Sequence, residues 1–304
     1  LKFYLEVYNA DKALNKEPFI VNYSITDFET NKKISSLSRF SRQQSSNVAI
    51  VLNEFPLDGL ASGNYNLTVE VFNKQGEIKA SKAVFFQRIN KKYAPKIDDL
   101  SNIDPNSSFV MAYDETQIKD YIKSLYPIST PLEVQYEETI LKENKLAQVQ
   151  QFFLYFWQKR NPQAPEEEWH RYEKRVKEAN EMYHTQLNKG YATDRGRVFL
   201  QYGRPSFVNK SEFDRNTRPY EIWQYNTTGK QSNRMFVFSL ANKGLSTDDY
   251  TLIHSDAIGE PNNPRWKNEL QKLKLSTQEM DSYNGVLPTN RNFGDNKLNQ
   301  DSDF

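Results

Sequence analysis

The sequence predicts a multidomain chain: an N-terminal all-β sandwich of the immunoglobulin kind, a helical middle segment, and an α+β C-terminal domain with a small antiparallel sheet. Three observations carry that prediction. Runs rich in β-branched and aromatic residues, the clearest of them alternating with period 2, fill the first 89 residues; apolar residues recur at helical spacing from Asp114 to Lys189 and return to period 2 after Gly190. A length of 304 residues suits two or three domains. The divisions fall at residues 1–89 for the sandwich, 90–130 for a linker with a short helix, 131–275 for the helical and α+β domain, and 276–304 for a polar tail, largely disordered by composition.

The β-rich part rests on Lys2 to Tyr8, Phe19 to Ile25, Val48 to Leu52 and Tyr65 to Phe72, runs rich in β-branched and aromatic residues. The last of these places Tyr65, Leu67, Val69 and Val71 on one face and Asn66, Thr68 and Glu70 on the other. The turn Asn73-Lys74-Gln75-Gly76 then returns the chain into Ile78 to Gln87, which makes a hairpin with one buried side. Asn9 to Pro18 is expected to be a polar loop.

Asp114 is placed to cap a helix ending at Leu125, before Pro127. A longer helix is expected from Pro131 to Arg160, with Val149, Phe152, Phe153, Phe156 and Trp157 in register, stopped by Pro162. The next starts at Pro165 with Glu166, Glu167 and Glu168 at the positive end of its dipole. Its stripe is Trp169, Tyr172, Val176, Ala179 and Tyr183, and its stop Asn188 to Gly190. Beyond it, Arg197 to Tyr202, Tyr220 to Tyr225, Arg234 to Leu240 and Tyr250 to His254 read as four strands. Pro264 to Leu273 reads as a final helix carrying Trp266 and Leu270.

Composition narrows the function. Forty Lys and Arg against 39 Asp and Glu leave a net charge of +1, which gives no field to gather nucleic acid. With no cysteine, disulfides, thiolate nucleophiles and cysteine metal sites are excluded. No run is long and apolar enough to read as a membrane helix. Leu1 is not a methionine, so the chain reads as a processed or trimmed piece, with room upstream for a signal peptide or a lipid-bearing cysteine.

The densest cluster of special residues is Gly190-Tyr191-Ala192-Thr193-Asp194-Arg195-Gly196-Arg197. An acid between two arginines could sit in a cleft with perturbed ionisation. The simpler reading is turn chemistry: Gly190 ends a helix, Thr193 and Asp194 satisfy amides, and Gly196 lets the backbone bend. His170, His184 and His254 lie far apart. The first two are separated by about 21 Å along one helix, so no shared metal is expected. Glu166 to Glu168 suit a dipole better than an acid/base pair, and neither a nucleophile elbow nor a phosphate loop is present. No cofactor is expected. Trp157, Trp169, Trp223 and Trp266 each fall on an apolar stripe and are assigned to cores.

Together these residues resemble the GWxTD domain. The resemblance rests on the cluster from Gly190 to Arg197 with Val198, on Tyr202-Gly203-Arg204-Pro205, and on Tyr220-Glu221-Ile222-Trp223-Gln224-Tyr225. It extends backwards through Phe156, Trp157, Arg160, Asn161 and Pro162, and through Arg175-Val176 with Ala179-Asn180. It covers about Leu141 to Leu240, with Tyr191 where the family name has tryptophan. The resemblance implies a bacterial cell-envelope protein of Bacteroidota, often with a signal sequence and a β-rich domain ahead of the motif, and no established enzymatic activity. The same run of turn, Gly-x-Pro and Trp-x-Tyr strand is similar to small outer-membrane assembly lipoproteins, an analogy of fold only.

The expectation is therefore a non-catalytic envelope scaffold or accessory subunit. It would dock to outer-membrane or surface proteins of a multiprotein complex for assembly, transport or secretion, on the periplasmic or the surface side. It would take no nucleic acid, and reach the membrane only through an upstream anchor or a partner. Two alternatives are carried: a hydrolase or peptidase using Asp194 or Glu168, and a glycan-binding module, which needs Tyr or Trp rings exposed on the sandwich face or loops.

Overall fold

A computed structural model of the chain describes residues 1–90, 92, 100, 103–212, 214, 216–229, 231–240 and 249–271. The expected tail of 276–304 and most of the stretch 91–102 lie outside the described residues. The chain divides into two compact units, Leu1–Ser107 with Ser129–Phe152, and Ser108–Ile128 with Phe153–Phe304.

The first unit opens with β1 (Lys2–Tyr8), a single helical turn α1 (Ala10–Ala13), β2 (Phe19–Asp27), β3 (Lys33–Gln43), β4 (Val48–Glu54), β5 (Gly63–Phe72) and β6 (Ile78–Arg88). β1 and β4 form a two-stranded antiparallel sheet, and the other four are ordered β3-β2-β5-β6. One core lies between them. It takes Val21, Tyr23 and Ile25 from β2, Ala49 and Val51 from β4, and Tyr65, Leu67 and Val71 from β5. Phe3, Tyr23 and Phe55 meet in a ring cluster, with Phe3 edge-on to Tyr23 at 5.4 Å. The hairpin of β5 and β6 has the expected face, and Gly76 supplies the positive φ of 81° that its turn requires.

Two details of this unit depart from the sequence reading. Asn9 to Pro18 holds α1, whose Ala10 and the following Leu14 are buried. β3 was not expected as a strand. Its eleven residues bury only Leu37, so its apolar alternation is too weak to read.

The middle of the chain is helical: α2 (Glu115–Leu125), α3 (Pro131–Glu143), α4 (Leu146–Arg160), α5 (Pro165–Tyr183) and α6 (Asp194–Tyr202). Asp114 and Gln117 form a capping box on α2, and Thr130 and Glu133 another on α3, each satisfying two end groups reciprocally. The single helix expected from Pro131 to Arg160 is two. Asn144 takes a left-handed conformation, φ 58°, and its amide closes on the Ile140 carbonyl. Asparagine tolerates that conformation, and nothing around Glu143-Asn144-Lys145 announces it in the sequence. α3 belongs to the first unit, where Gln135 accepts from the Ser62 hydroxyl at 2.7 Å.

The second unit gathers its rings around α2, α4 and α5. Phe153 is fully buried and lies 4.9 Å from Trp169 and 6.2 Å from Tyr121. Trp157 lies 5.6 Å from Trp169, and the Trp169 indole donates to the Tyr113 hydroxyl at 2.9 Å. α5 ends at Tyr183, five residues before the expected stop began, and His184 continues as extended chain.

The segment 197–202 is not the strand that its apolar run predicts. It is most of α6, with Thr193 as its N-cap and Gly203 just beyond its end at φ 86°. Val198, Phe199 and Leu200 are all buried, and a short continuous apolar run does not distinguish strand from helix. The four-stranded antiparallel sheet is instead β7 (Phe207–Ser211), β8 (Tyr220–Thr228), β9 (Gln231–Leu240) and β10 (Tyr250–Ser255), in the order β10-β9-β8-β7. β7 is an edge strand with almost no burial, so it carries no alternation to read. A helical segment at 266–271 places Trp266 and Leu270 against Tyr220, Ile222 and Val237; Leu273, within the expected final helix, lies outside the described residues.

The aromatic cluster gives a direct test. Phe153→Ala should lower the unfolding free energy by about 3–5 kcal/mol in urea denaturation of the full chain, the cost of truncating a buried ring. A loss below about 1 kcal/mol would show that the cluster does not hold α2, α4 and α5 together.

Candidate functional site

The motif residues meet where α5, the tight turn Gly190–Ala192 and the first turn of α6 cross. The crossing is close because two positions lack a side chain. A Cβ on Gly190 would stand 1.9 Å from the Ala179 carbonyl oxygen, and one on Gly196 would stand 1.8 Å from the Gly190 carbonyl oxygen. Neither glycine is needed for a positive φ; each is needed for backbone against backbone. Around that contact the amides are satisfied locally. Thr193 Oγ1 accepts from the Gly196 amide at 3.1 Å and donates to the Gly190 carbonyl at 2.8 Å. Asn180 Oδ1 accepts from the Tyr191 amide at 3.1 Å.

Tyr191 is an aromatic anchor with a polar tip. Its ring is buried, and its hydroxyl donates to Asp120 Oδ1 at 2.8 Å, while Lys189 holds the other oxygen of that carboxylate at 2.8 Å. Burial first, then the bond to Asp120, push the Tyr191 hydroxyl well above the usual tyrosine range. It is a donor and not a base.

The charged residues of the motif point to three different partners. Asp194 Oδ2 accepts from the Leu252 amide at 2.8 Å. β10 is an edge strand, so this carboxylate covers a backbone donor at the sheet edge, beside the register shift between Leu252 and His254. Arg195 is buried, with Nη1 3.1 Å from Glu221 Oε1 and its guanidinium 4.3 Å from the Tyr250 ring centre. Glu221 accepts from the Trp223 indole at 2.9 Å on its other oxygen, and Lys210 stands 3.3 Å away. Arg197 grips Glu260 with two parallel bonds of 2.8 and 2.7 Å, and the Tyr202 hydroxyl joins the same carboxylate at 2.9 Å. Burial alone depresses the Arg197 guanidinium, but Glu260 holds it above its ordinary value.

The remaining motif residues close the far end of α6. Arg175 donates to the Phe199 carbonyl at 3.0 Å, and Tyr225 donates to the Gly203 carbonyl at 3.0 Å. Arg204 pairs with Glu178, and Pro205 follows as the chain turns into β7. Trp223 is buried 5.4 Å from Tyr183, whose hydroxyl is pushed up to about 12, chiefly by burial and then by Glu221. Phe156, Trp157 and Arg160 lie elsewhere in the unit. The Arg160 guanidinium sits 3.3 Å over the Phe156 ring and donates to the Ile128 carbonyl at 2.9 Å.

These side chains can hold elements in place, and each is already engaged in doing so. Asp194 and Arg195 do not converge with a histidine. His254 Nδ1 accepts from the Asn263 amide at 3.0 Å, its ring stacks on Trp266, and burial depresses its ionisation. His170 and His184 are exposed, the first beside Glu166 and Glu173. Glu168 lies partly exposed in the first turn of α5, 3.2 Å from Arg171. Among the described residues, no group of three or more histidines and acids is placed to hold a metal ion. Sequence reasoning missed Glu221, Glu260 and Asp120 as partners. Glu221 left one signal, the single acid in an aromatic-rich strand. Glu260, in a Gly-Glu-Pro turn, left none.

Comparison with known proteins adds one finding: the family model described as the GWxTD domain matches residues 106–274. No curated protein and no solved structure matches the chain.

The edge contact of Asp194 separates a structural acid from a chemical one. Asp194→Ala should lower stability by about 1–2 kcal/mol, because it strands the buried side of a backbone donor, and Asp194→Asn should recover most of that through its amide oxygen. Equal losses in both variants would mean that charge, not the bond to Leu252, is what the position supplies.

Proposed function

Because the chain belongs to the GWxTD domain family, with a matched region of 106–274, we propose that it is a non-catalytic envelope scaffold. In this reading it docks partner proteins within an outer-membrane assembly, transport or secretion complex, and is held at the membrane through a partner or an anchor. No described helix is long and apolar enough to cross a membrane itself.

The observation that carries the reading is an uncovered apolar sheet face in the first unit. Tyr4 and Tyr8 on β1 and Val48, Ile50 and Leu52 on β4 are all exposed, from 39% to 74%. Scattered exposed leucines need no explanation; five apolar side chains side by side on one sheet face, two of them aromatic, support an interaction surface. The motif supports the same reading from the other side. Asp194 is bonded to a strand amide, Arg195 and Arg197 to buried carboxylates, and the partly exposed Glu168 is paired with Arg171. A hydrolase would need one of these acids free to move a proton at a substrate.

The test is recovery of the full-length native protein from its own membranes in mild detergent, followed by mass spectrometry. Stoichiometric recovery with an outer-membrane β-barrel or with surface lipoproteins is expected. Recovery of the chain alone from the soluble fraction would remove the scaffold reading.

A further inference from the structure

The uncovered face has a polar centre that makes its preference specific. β1 and β4 pair through Tyr4↔Leu52, Glu6↔Ile50 and Tyr8↔Val48, so these side chains share the outer face of the two-stranded sheet. Glu6 sits between the two tyrosines, and both hydroxyls donate to its carboxylate, one to each oxygen. Among the described residues Glu6 has no cationic partner, whereas the nearby Glu54 has Lys2 at 3.6 Å. A half-buried carboxylate flanked by two exposed aromatic rings attracts a cation by charge and by the rings together.

Among the described residues, no strand pairs with the outer edge of β1 beside this centre. The Leu1 amino group donates to the Phe55 carbonyl at 2.7 Å and the Asn9 amide to the Asn47 carbonyl at 2.7 Å. An antiparallel ladder alternates its bonds, so the odd residues of β1 face β4, and Tyr4, Glu6 and Tyr8 turn their amides and carbonyls to the free edge. β3, β4 and β6 also end their sheets, but β3 carries Lys33, Arg39 and Arg42 and β6 carries Lys79 and Lys82, the usual guard against added strands, and on β4 the Glu54 carbonyl is already taken by Arg39. β1 has its single lysine at Lys2, paired at one end.

We propose that the β1 edge accepts an extended segment of a partner protein as an added strand, with an arginine or lysine opposite Glu6 between Tyr4 and Tyr8. The inference rests on the scaffold reading and names the surface and the chemistry of its partner. A second copy docking flat on this face is disfavoured by area. A ribbon of seven residues is about 23 Å long and two strands wide, roughly 200–300 Å², against about 800 Å² per partner in a standard stable interface. An added strand gains main-chain hydrogen bonds that a flat contact lacks.

The test uses the full chain and two fluorescein-labelled heptapeptides, TVTRTVT and TVTETVT, read by anisotropy and by amide hydrogen exchange. The expected result is that the arginine peptide binds at least about ten-fold more tightly than the glutamate peptide, and that it slows exchange at residues 4, 6 and 8. Glu6→Gln should abolish the preference; if that variant does not fold, the pair Tyr4→Ser and Tyr8→Ser should weaken binding of the arginine peptide by a similar factor. Equal binding of the two peptides, no binding of either, or protection confined to β6 overturns the proposal. So does a titration in which xylohexaose or cellohexaose perturbs Tyr4 and Tyr8 while the peptides do not. A native complex that survives Glu6→Gln, with no peptide preference, sinks this surface and leaves the scaffold reading standing. A clear preference in a protein recovered alone from its membranes supports the surface and sinks the scaffold reading.

Discussion

Backbone contact without side chains, at Gly190 and Gly196, is the constraint on which the second unit depends. With 1.8 and 1.9 Å between the missing Cβ positions and the facing carbonyl oxygens, no other residue fits at either place without moving a helix. The contact sets α6 against α5, and everything that α6 carries is aimed by it. From its first turn, Asp194 reaches β10, Arg195 reaches β8, and Arg197 reaches Glu260 beyond β10. One short helix thereby ties three places in the sheet region to the helical layer. The side chains also need the contact in return, because a nine-residue helix is marginal by itself.

The two ion pairs are unequal in exposure but alike in logic. Arg195 and Glu221 are both nearly inaccessible, with Trp223 and Tyr250 closing around them. Such a pair adds little over an apolar replacement of the same shape, yet loss of one partner strands the other charge and costs about 3–5 kcal/mol. Its contribution is to selectivity of packing: β8 has one register in which Glu221 meets both the guanidinium and the indole. Arg197 and Glu260 act similarly on the chain after β10, with Tyr202 as a third member.

Much of this was legible in the sequence where local chemistry decides the outcome. Pro165 with three acids marked the start of α5, Asp114 marked that of α2, and Tyr65 to Val71 displayed the buried face of β5. Illegible features were those decided by distant partners. Val198-Phe199-Leu200 reads equally as strand or helix until Gly196 is seen to pack on Gly190. β7 gives no signal because it buries almost nothing, and Asn144 breaks a helix with a conformation that only the fold requires. Within the candidate site, the glycines and arginines stood out as residue types. Glu260 and Asp120 did not, and Glu221 showed only as the single acid of an aromatic-rich strand, because a buried acid is defined chiefly by its partner.

Whether the motif is a joint between α5 and α6 is read most directly by urea unfolding of Gly196→Ala beside Gly59→Ala in the full chain. Gly59 has open space where a Cβ would go and serves as the control. Gly196→Ala should lose at least about 3 kcal/mol, confined to the transition of the second unit, since the methyl group meets backbone and not a flexible side chain. Gly59→Ala should change stability by less than about 1 kcal/mol. Equal, small effects from both substitutions would contradict such a joint and leave the motif without the structural role assigned to it.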